Sequence, residues 1–364
     1  MNNRLTSNIP DQNLQVPSSI GDVKLTMYSV RQKPFAIYGL YRPTEEPEFK
    51  RLPDEITQAV SDSLFSLGRA TAGGRVRFCS DSTSIAIRAV YDKVGRLPHM
   101  PLTGSAGFDI YVDDPITGTS RYFKTFIPPY DMGDRYESIV TFNEKKLRYF
   151  TIHFPGYSNV RDLWIGLTPD AMLGEGLKYL DMKPIVYYGS SITQGGCASR
   201  PGNFYQNIIS RRLGIDHINL GFSGNGKAEE VVARYMATLP MSVFVSDYDH
   251  NAPTVEYLQN THRRLYKIIR EKNPDIPYIM ISKPDFVSEN SYDANVGRRQ
   301  VVTDTYHYAR KQGDKKVYLI DGSAFFRGNY AQMATVDGCH PNDIGFALMA
   351  DAIESELRLA LTQF

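Results

Sequence analysis

The chain has 364 residues, with 41 Lys and Arg against 40 Asp and Glu, a formal charge of +1, and 3 cysteines. That length accommodates two domains with cores of their own. The charge balance gives no electrostatic case for nucleic acid, so few cysteines cannot make a full disulfide framework, and no apolar run approaches a membrane span.

The first residues, Met1-Asn2-Asn3-Arg4-Leu5-Thr6-Ser7-Asn8, lack the apolar core of a signal peptide. As written the chain reads as cytoplasmic; a trimmed export signal would leave no trace. From about residue 20 to 180 the pattern is all-β. Period-two runs at 75–78, 84–90, 107–112, 122–127, 147–154 and 163–167 are each ended by turn residues, with a helical turn expected within 53–67. Many short strands without intervening helices predict a sandwich of the jelly-roll kind.

From Lys183 onward the rhythm becomes strand, loop, helix. Strands are expected at 185–188, 217–220, 242–246, 278–282 and 316–320. Phe204, Ile208, Ile209 and Leu213 make one helical stripe stopped by Gly214, and Val231, Val232, Tyr235, Met236 and Leu239 make another stopped by Pro240. Leu265, Ile268 and Ile269 mark a third helix, and a last one runs from 342 to about 361. This alternation predicts an α/β fold: a five-stranded, flavodoxin-like parallel sheet with helices on both faces. The boundary falls between 174 and 182, giving a β-sandwich domain over 1–178 and an α/β domain over 179–364.

Open parallel sheets bind ligands at the carboxyl ends of their strands. Ser191, in Gly189-Ser190-Ser191-Ile192-Thr193-Gln194-Gly195, follows the first of these strands. Gly221-Phe222-Ser223-Gly224-Asn225-Gly226 follows the second, and Asp247-Tyr248-Asp249-His250-Asn251 the third. Asp337-Gly338-Cys339-His340 lies on the loop after the fifth. A serine on a strand-to-helix turn with a late Asp-x-x-His is the layout of a serine-nucleophile hydrolase: the histidine takes the hydroxyl proton and the aspartate orients the ring. Taken alone, Ser191 would read as a helix N-cap and Asp337 with His340 as a cap and a surface histidine; their combination favours catalysis.

Residues 183–364 resemble the SGNH (GDSL-type) hydrolase superfamily, named for a serine, a glycine, an asparagine and a histidine. By motif these fall on Ser191, Gly224, Asn251 and His340, with Asp337 completing a triad. Gly107-Phe108-Asp109-Ile110-Tyr111 is similar to a motif of the β-sandwich domain that precedes the hydrolase in one bacterial branch. The chain departs from the family at Ser190, where aspartate is usual, and in the third block, usually Gly-x-Asn-Asp. The resemblance implies an oxyanion hole made by the backbone N–H groups of Ser191 and Gly224 and the Asn251 amide. Such donors act on charge that develops in the transition state. His250 is the alternative donor if the third block is read one residue out of register, and Asn251 could instead serve an Asx-turn.

Asp247, Asp249, His250, Asp337 and His340 could form a metal cluster, but no His-x-x-x-His or Cys-x-x-Cys pair supports one. Gly224-Asn225-Gly226-Lys227 lacks the first glycine of a phosphate loop. Cys197 and Cys339 could pair or remain free thiols; Arg200, Asp247 and His250 are possible substrate contacts, and Arg200 could equally lie over a helix start. The expectation is a serine esterase without a cofactor, acting on a small-molecule or oligosaccharide ester, with neither nucleic acid nor membrane as partner; the sequence gives no oligomeric state. The resemblance favours carbohydrate deacetylation. The alternatives are a lipase or thioesterase, which needs a long apolar groove, and an inactive sugar-binding relative.

Overall fold

The computed structural model describes residues 16, 19–284 and 292–362, so Met1–Asn8, which carried the localisation expectation, lie outside the described residues. The N-terminal strands are β1 (Thr26–Ser29), β2 (Ala36–Tyr38), β3 (Arg75–Ser80), β4 (Ser84–Lys93), β5 (Phe108–Asp113), β6 (Ser120–Phe126), β7 (Arg135–Thr141), β8 (Arg148–His153), β9 (Asn159–Leu167) and β10 (Leu173–Glu175). One antiparallel sheet has the order β1-β9-β4-β7 and the other β10-β3-β8-β5-β6, with β2 also paired to β3. The inward positions of both sheets, among them Val76, Phe78, Ile85, Ile87, Phe108, Ile110, Phe150, Ile152 and Ile165, make one apolar core.

The outward face of the second sheet is buried too, and it is polar. Arg75, Arg77, Asp109, Tyr111, Thr151 and His153 alternate with those core residues along β3, β5 and β8, yet all are buried. The α/β domain covers them: the Arg75 guanidinium donates to the carbonyl of His217 at 3.2 Å. Helices α1 (Asp54–Gln58) and α2 (Asp62–Gly68) leave the sandwich, and their Leu64, with neighbouring Leu52, joins the core of the α/β domain. A short helix α3 (Leu102–Ser105) precedes β5.

The second domain has β11 (Ile185–Gly189), β12 (His217–Gly221), β13 (Val243–Asp247), β14 (Tyr278–Ile281) and β15 (Val317–Ile320), all parallel, in the order β12-β11-β13-β14-β15. Its helices are α4 (Ser191–Gln194), α5 (Tyr205–Leu213), α6 (Glu230–Ala237), α7 (Val255–Lys272), α8 (Tyr292–Lys311) and α9 (Asp343–Leu361). Helices α6, α7 and α8 pack on one face through Val232, Leu258, Leu265 and Val302. Helices α5 and α9 pack on the other through Tyr205, Ile209, Phe346 and Ile353. Gly214 ends α5 in the left-handed region at φ 66°, where a side chain would be strained. Asn342 starts α9 by accepting from Ile344 N–H at 3.0 Å and Gly345 N–H at 3.2 Å. Among the described residues no helix is long and apolar enough to cross a membrane. The strand order reverses around β11, so the crevice beside its carboxyl end is where this topology places a ligand.

Candidate active site

Ser191 is the first residue of α4 and is 7% exposed. The turn that presents it is held by a reciprocal cap. Ser190 Oγ accepts from Ile192 N–H at 3.1 Å, and Thr193 Oγ1 accepts from Ser190 N–H at 3.2 Å. Ser190, which stands where the family usually has aspartate, thus caps the helix. The turn passes so close to β13 that a Cβ on Gly189 would lie 2.1 Å from the Asp247 carbonyl oxygen, so only glycine fits.

His340 meets this turn from the loop before α9. Its Nε2 lies 2.9 Å from Ser191 Oγ, and its Nδ1 lies 2.7 Å from Asp337 Oδ2. A carboxylate only accepts, so Nδ1 carries the proton and Nε2 presents a lone pair to the serine hydroxyl. Asp337 Oδ1 also accepts from the N–H groups of Cys339 at 3.0 Å and His340 at 2.7 Å. Partial burial pushes the Asp337 carboxyl up, but its bonds from the His340 backbone and ring and from Cys339 outweigh that and hold it below the usual carboxylate range.

The loop after β12 supplies the next element. Gly224 sits at φ 66°, and the space beyond its Cα is open. Among the described residues neither the Ser191 nor the Gly224 N–H has a protein acceptor. The Asn251 amide donates one hydrogen to the Phe222 carbonyl at 2.9 Å, which ties the third block to this loop and leaves its second N–H. Ser223 N–H donates to Gln194 Oε1 at 2.9 Å, joining the same loop to α4.

The other expected contacts, Asp247, Arg200 and His250, are bonded within the protein. Asp247 is fully buried beneath the turn, where it accepts from Thr193 Oγ1 at 3.1 Å. Burial and the neighbouring Asp249 charge push its carboxyl well above the usual range. It faces the protein interior and cannot be a substrate contact. Arg200 is taken up by the β domain: Nη1 donates to Asp109 Oδ2 at 2.8 Å and to the Tyr111 hydroxyl, and its guanidinium lies 3.9 Å from the Tyr122 ring centroid. His250 is held through Nδ1 by Asp249 Oδ1 at 3.0 Å, and among the described residues its buried Nε2 has no partner.

Two groups of side chains have the spacing of metal ligands, Asp247 with Asp249 and His250, and His99 with Cys197 and His340. In the first, Asp249 already accepts from the His250 N–H and ring and from Lys283 N–H at 2.9 Å. In the second, both His340 nitrogens are engaged and burial pushes the Cys197 thiol up to about 12, far from a thiolate. The chemistry of neither set favours a cation. All 3 cysteines are free.

The β domain contributes to the site through contacts that no sequence pattern announces. The Tyr157 hydroxyl donates to the Ser191 carbonyl at 3.2 Å, and Gln194 Nε2 donates to the Gly156 carbonyl at 3.0 Å. The His99 ring packs 5.3 Å from that of His340. His99 and Pro101 face Ser199, Val336, Asn342 and Ile344 across a cleft beside the histidine. No local pattern marks Tyr157 or His99, because their partners are distant in sequence.

Residues 182–358 match the GDSL-like lipase/acylhydrolase family, and residues 25–173 match the N-terminus of SGNH-hydrolase-type esterases. Among curated proteins no sequence matches significantly. A crystal structure of a protein described as a GDSL-like lipase, from Bacteroides ovatus ATCC 8483, is 25% identical with a TM-score of 0.84, covering 93% of this chain and 98% of that one. A salicylyl-acyltransferase from a tetracycline biosynthetic pathway is 21% identical with a TM-score of 0.72, covering 92% and 97%. A family two carbohydrate esterase from Clostridium thermocellum, in complex with cellohexaose, is 15% identical with a TM-score of 0.62, covering 91% and 100%. The chain belongs to the SGNH (GDSL-type) hydrolases, in the two-domain arrangement in which a β-sandwich precedes the hydrolase domain.

Proposed function

We propose that this hydrolase cleaves short acyl esters, acetyl esters of carbohydrate above all, through Ser191, His340 and Asp337. The observation that carries the reading is the continuous chain of bonds from Ser191 Oγ through the His340 ring to Asp337. His340 Nε2 takes the hydroxyl proton as Ser191 Oγ attacks the ester carbonyl. The imidazolium, steadied by Asp337, then protonates the departing alcohol oxygen. Negative charge on the former carbonyl oxygen is met by the N–H groups of Ser191 and Gly224 and the second N–H of Asn251. Water, deprotonated by His340, releases the acyl group.

Because His340 must hand its proton to the leaving oxygen, the alcohol lies on the His340 side, in the cleft between the domains. Its lining mixes polar His99, Ser199, Asn342 and Asp343 with apolar Pro101, Val336 and Ile344, which suits the hydroxyls and the ring face of a sugar. The same two-domain fold in an esterase complexed with cellohexaose supports a carbohydrate alcohol. The test pairs p-nitrophenyl acetate, butyrate and octanoate with acetylated oligosaccharides. Acetate is expected to have the highest kcat/KM, and Ser191→Ala to abolish turnover and fluorophosphonate labelling. A higher kcat/KM for octanoate moves the reading to a lipase, and full activity in Ser191→Ala removes the nucleophile assignment.

A further inference from the structure

Arg51 belongs to the β domain by sequence but is buried under the end of β12, 3% exposed. Its Nη1 donates to the carbonyls of Gly221 at 2.6 Å and Asn219 at 3.1 Å. Nε donates to Ala70 O at 2.7 Å and Nη2 to Leu67 O at 2.7 Å. The guanidinium carbon lies 4.6 Å from the Phe222 ring centroid. Other arginines of this domain, Arg31, Arg69, Arg75 and Arg77, each have a carboxylate. Among the described residues Arg51 has none within ion-pair distance and is satisfied by carbonyls and a ring. Burial depresses its pKa to about 9, with nearby Tyr157 opposing, so it stays charged at neutral pH.

A buried cation without a counter-charge is costly, and its hydrogen bonds alone could be made by a neutral group or by a paired arginine. The position is distinguished by the residues just beyond Gly221. Phe222 N–H donates to the Gly189 carbonyl at the nucleophile turn, and Phe222 O receives the Asn251 amide. Gly224 comes two residues later. Asn219, whose carbonyl Arg51 holds, reaches back through its amide to the Thr193 carbonyl of α4 at 2.7 Å. Arg51 therefore grips the strand whose following loop carries Gly224 and is bonded to the nucleophile turn and to Asn251, and its charge lies in a low-dielectric interior where screening is weak.

We propose that Arg51 is a positioning residue for the oxyanion site, supplied by the β-sandwich: its fork fixes the end of β12, and its uncompensated charge favours the negative charge that develops at Gly224. This rests on the Ser191 esterase reading. The test compares Arg51→Met, similar in length and neutral, with Arg51→Lys, which keeps the charge and loses the fork. Kinetics on p-nitrophenyl acetate are read beside affinity for phenylboronic acid, which forms a tetrahedral adduct on the serine.

In Arg51→Met, kcat falls about 10- to 100-fold with KM nearly unchanged, and boronate affinity falls in step. Arg51→Lys loses about 3- to 10-fold, a partial rescue that a purely structural role would not produce. A folded Arg51→Met with wild-type kcat, a loss confined to KM, or unchanged boronate affinity overturns the proposal. Should Arg51→Met not fold, Arg51→Lys decides: a lowered kcat with boronate affinity in step supports it, and an unchanged kcat overturns it. Ser191→Ala run alongside separates the two claims. If it is inactive while Arg51→Met is fully active, only the Arg51 proposal fails; if it is active, both fail.

Discussion

Tyr157, on the loop between β8 and β9 of the sandwich, donates its hydroxyl to the backbone carbonyl of Ser191 at 3.2 Å. The ring is partly buried, and a Cβ on Gly196 would lie 2.6 Å from its hydroxyl, so it is wedged against the nucleophile helix. The β domain therefore forms a wall of the active site and braces the residue that reacts.

Tyr157→Phe removes this bond and leaves the ring. We expect a stability loss of about 1 kcal/mol, the usual net value of one hydrogen bond. We also expect kcat to fall about fivefold, because the helix that carries Ser191 loses a brace. Steady-state kinetics beside urea unfolding check both. Wild-type kcat in the variant would mean that the turn is held by its own cap alone.

Much of the catalytic half was legible because its signals are local. Strand-loop-helix alternation located β11 to β15, and Gly214 and Asn342 marked helix ends through their own backbone preferences. The pairing of Ser191 with Asp337 and His340 was legible because each motif sits at a strand's carboxyl end. Helix α8 was not read, because its stretch contains Gly297 and its buried positions, Val301, Val302, Thr305 and Ala309, are sparse and partly polar. Strand β7 was missed for a similar reason: Arg135-Tyr136-Glu137-Ser138 carries little apolar character. Nothing in the alternation of β3, β5 and β8 marks their polar face as buried. Alternation identifies the two faces of a strand and cannot say that a second domain covers the polar one. The same blindness hid Tyr157, His99 and Arg51, left Arg200 open between a substrate contact and a helix start, and gave no sign that Asp247 is fully buried.

Asp109 is the centre of that covered face. It is fully buried, and it accepts from His153 Nδ1, Arg200 Nη1 and Gly202 N–H, each at 2.8 Å. Burial pushes its carboxyl up, but His153 and Arg200 outweigh this and hold it below the usual range. Asp109→Ala leaves those donors without an acceptor between the two domains. Breaking such a buried pair costs about 3–5 kcal/mol. The urea midpoint is expected to drop sharply, with separate transitions for the two domains. A variant that unfolds at the wild-type midpoint would show that the clasp contributes nothing.

Buried histidines are expected to make stability fall in mild acid, His217 and His262 above all. Burial pushes His217 well below the ordinary histidine value, with the Arg75 charge adding to the effect, and lowers His262 to about 4 against a weaker pull from Asp249. Both folded values lie below the unfolded value of about 6.5, so below that pH the unfolded chain binds more protons. Stability is full above about pH 7 and declines as pH falls, by about 1.4 kcal/mol at pH 5.5 from His262, with His217 adding in the same direction. Asp109, with its depressed folded value, adds a further loss only below about pH 4. Urea titrations at pH 7.5, 6.5 and 5.5 measure the slope, and His262→Leu should reduce it. Midpoints that stay level across that range would mean these rings are protonated inside the folded protein.

The third block offers the sharpest choice within the site. Asn251 is anchored to Phe222 O and keeps one N–H, whereas His250 is bound through Nδ1 to Asp249. That bond fixes the ring proton on Nδ1 and leaves Nε2 as an acceptor while the ring is neutral, the form that burial favours. An acceptor repels an oxyanion. Asn251→Ala should therefore lower kcat by about two to three orders of magnitude with little change in KM, the pattern of a donor that acts in the transition state. His250→Ala should cost far less, through a loosened loop alone. If the histidine variant loses kcat while the asparagine variant keeps it, His250 is protonated in the working enzyme and the oxyanion is met one residue earlier in the chain.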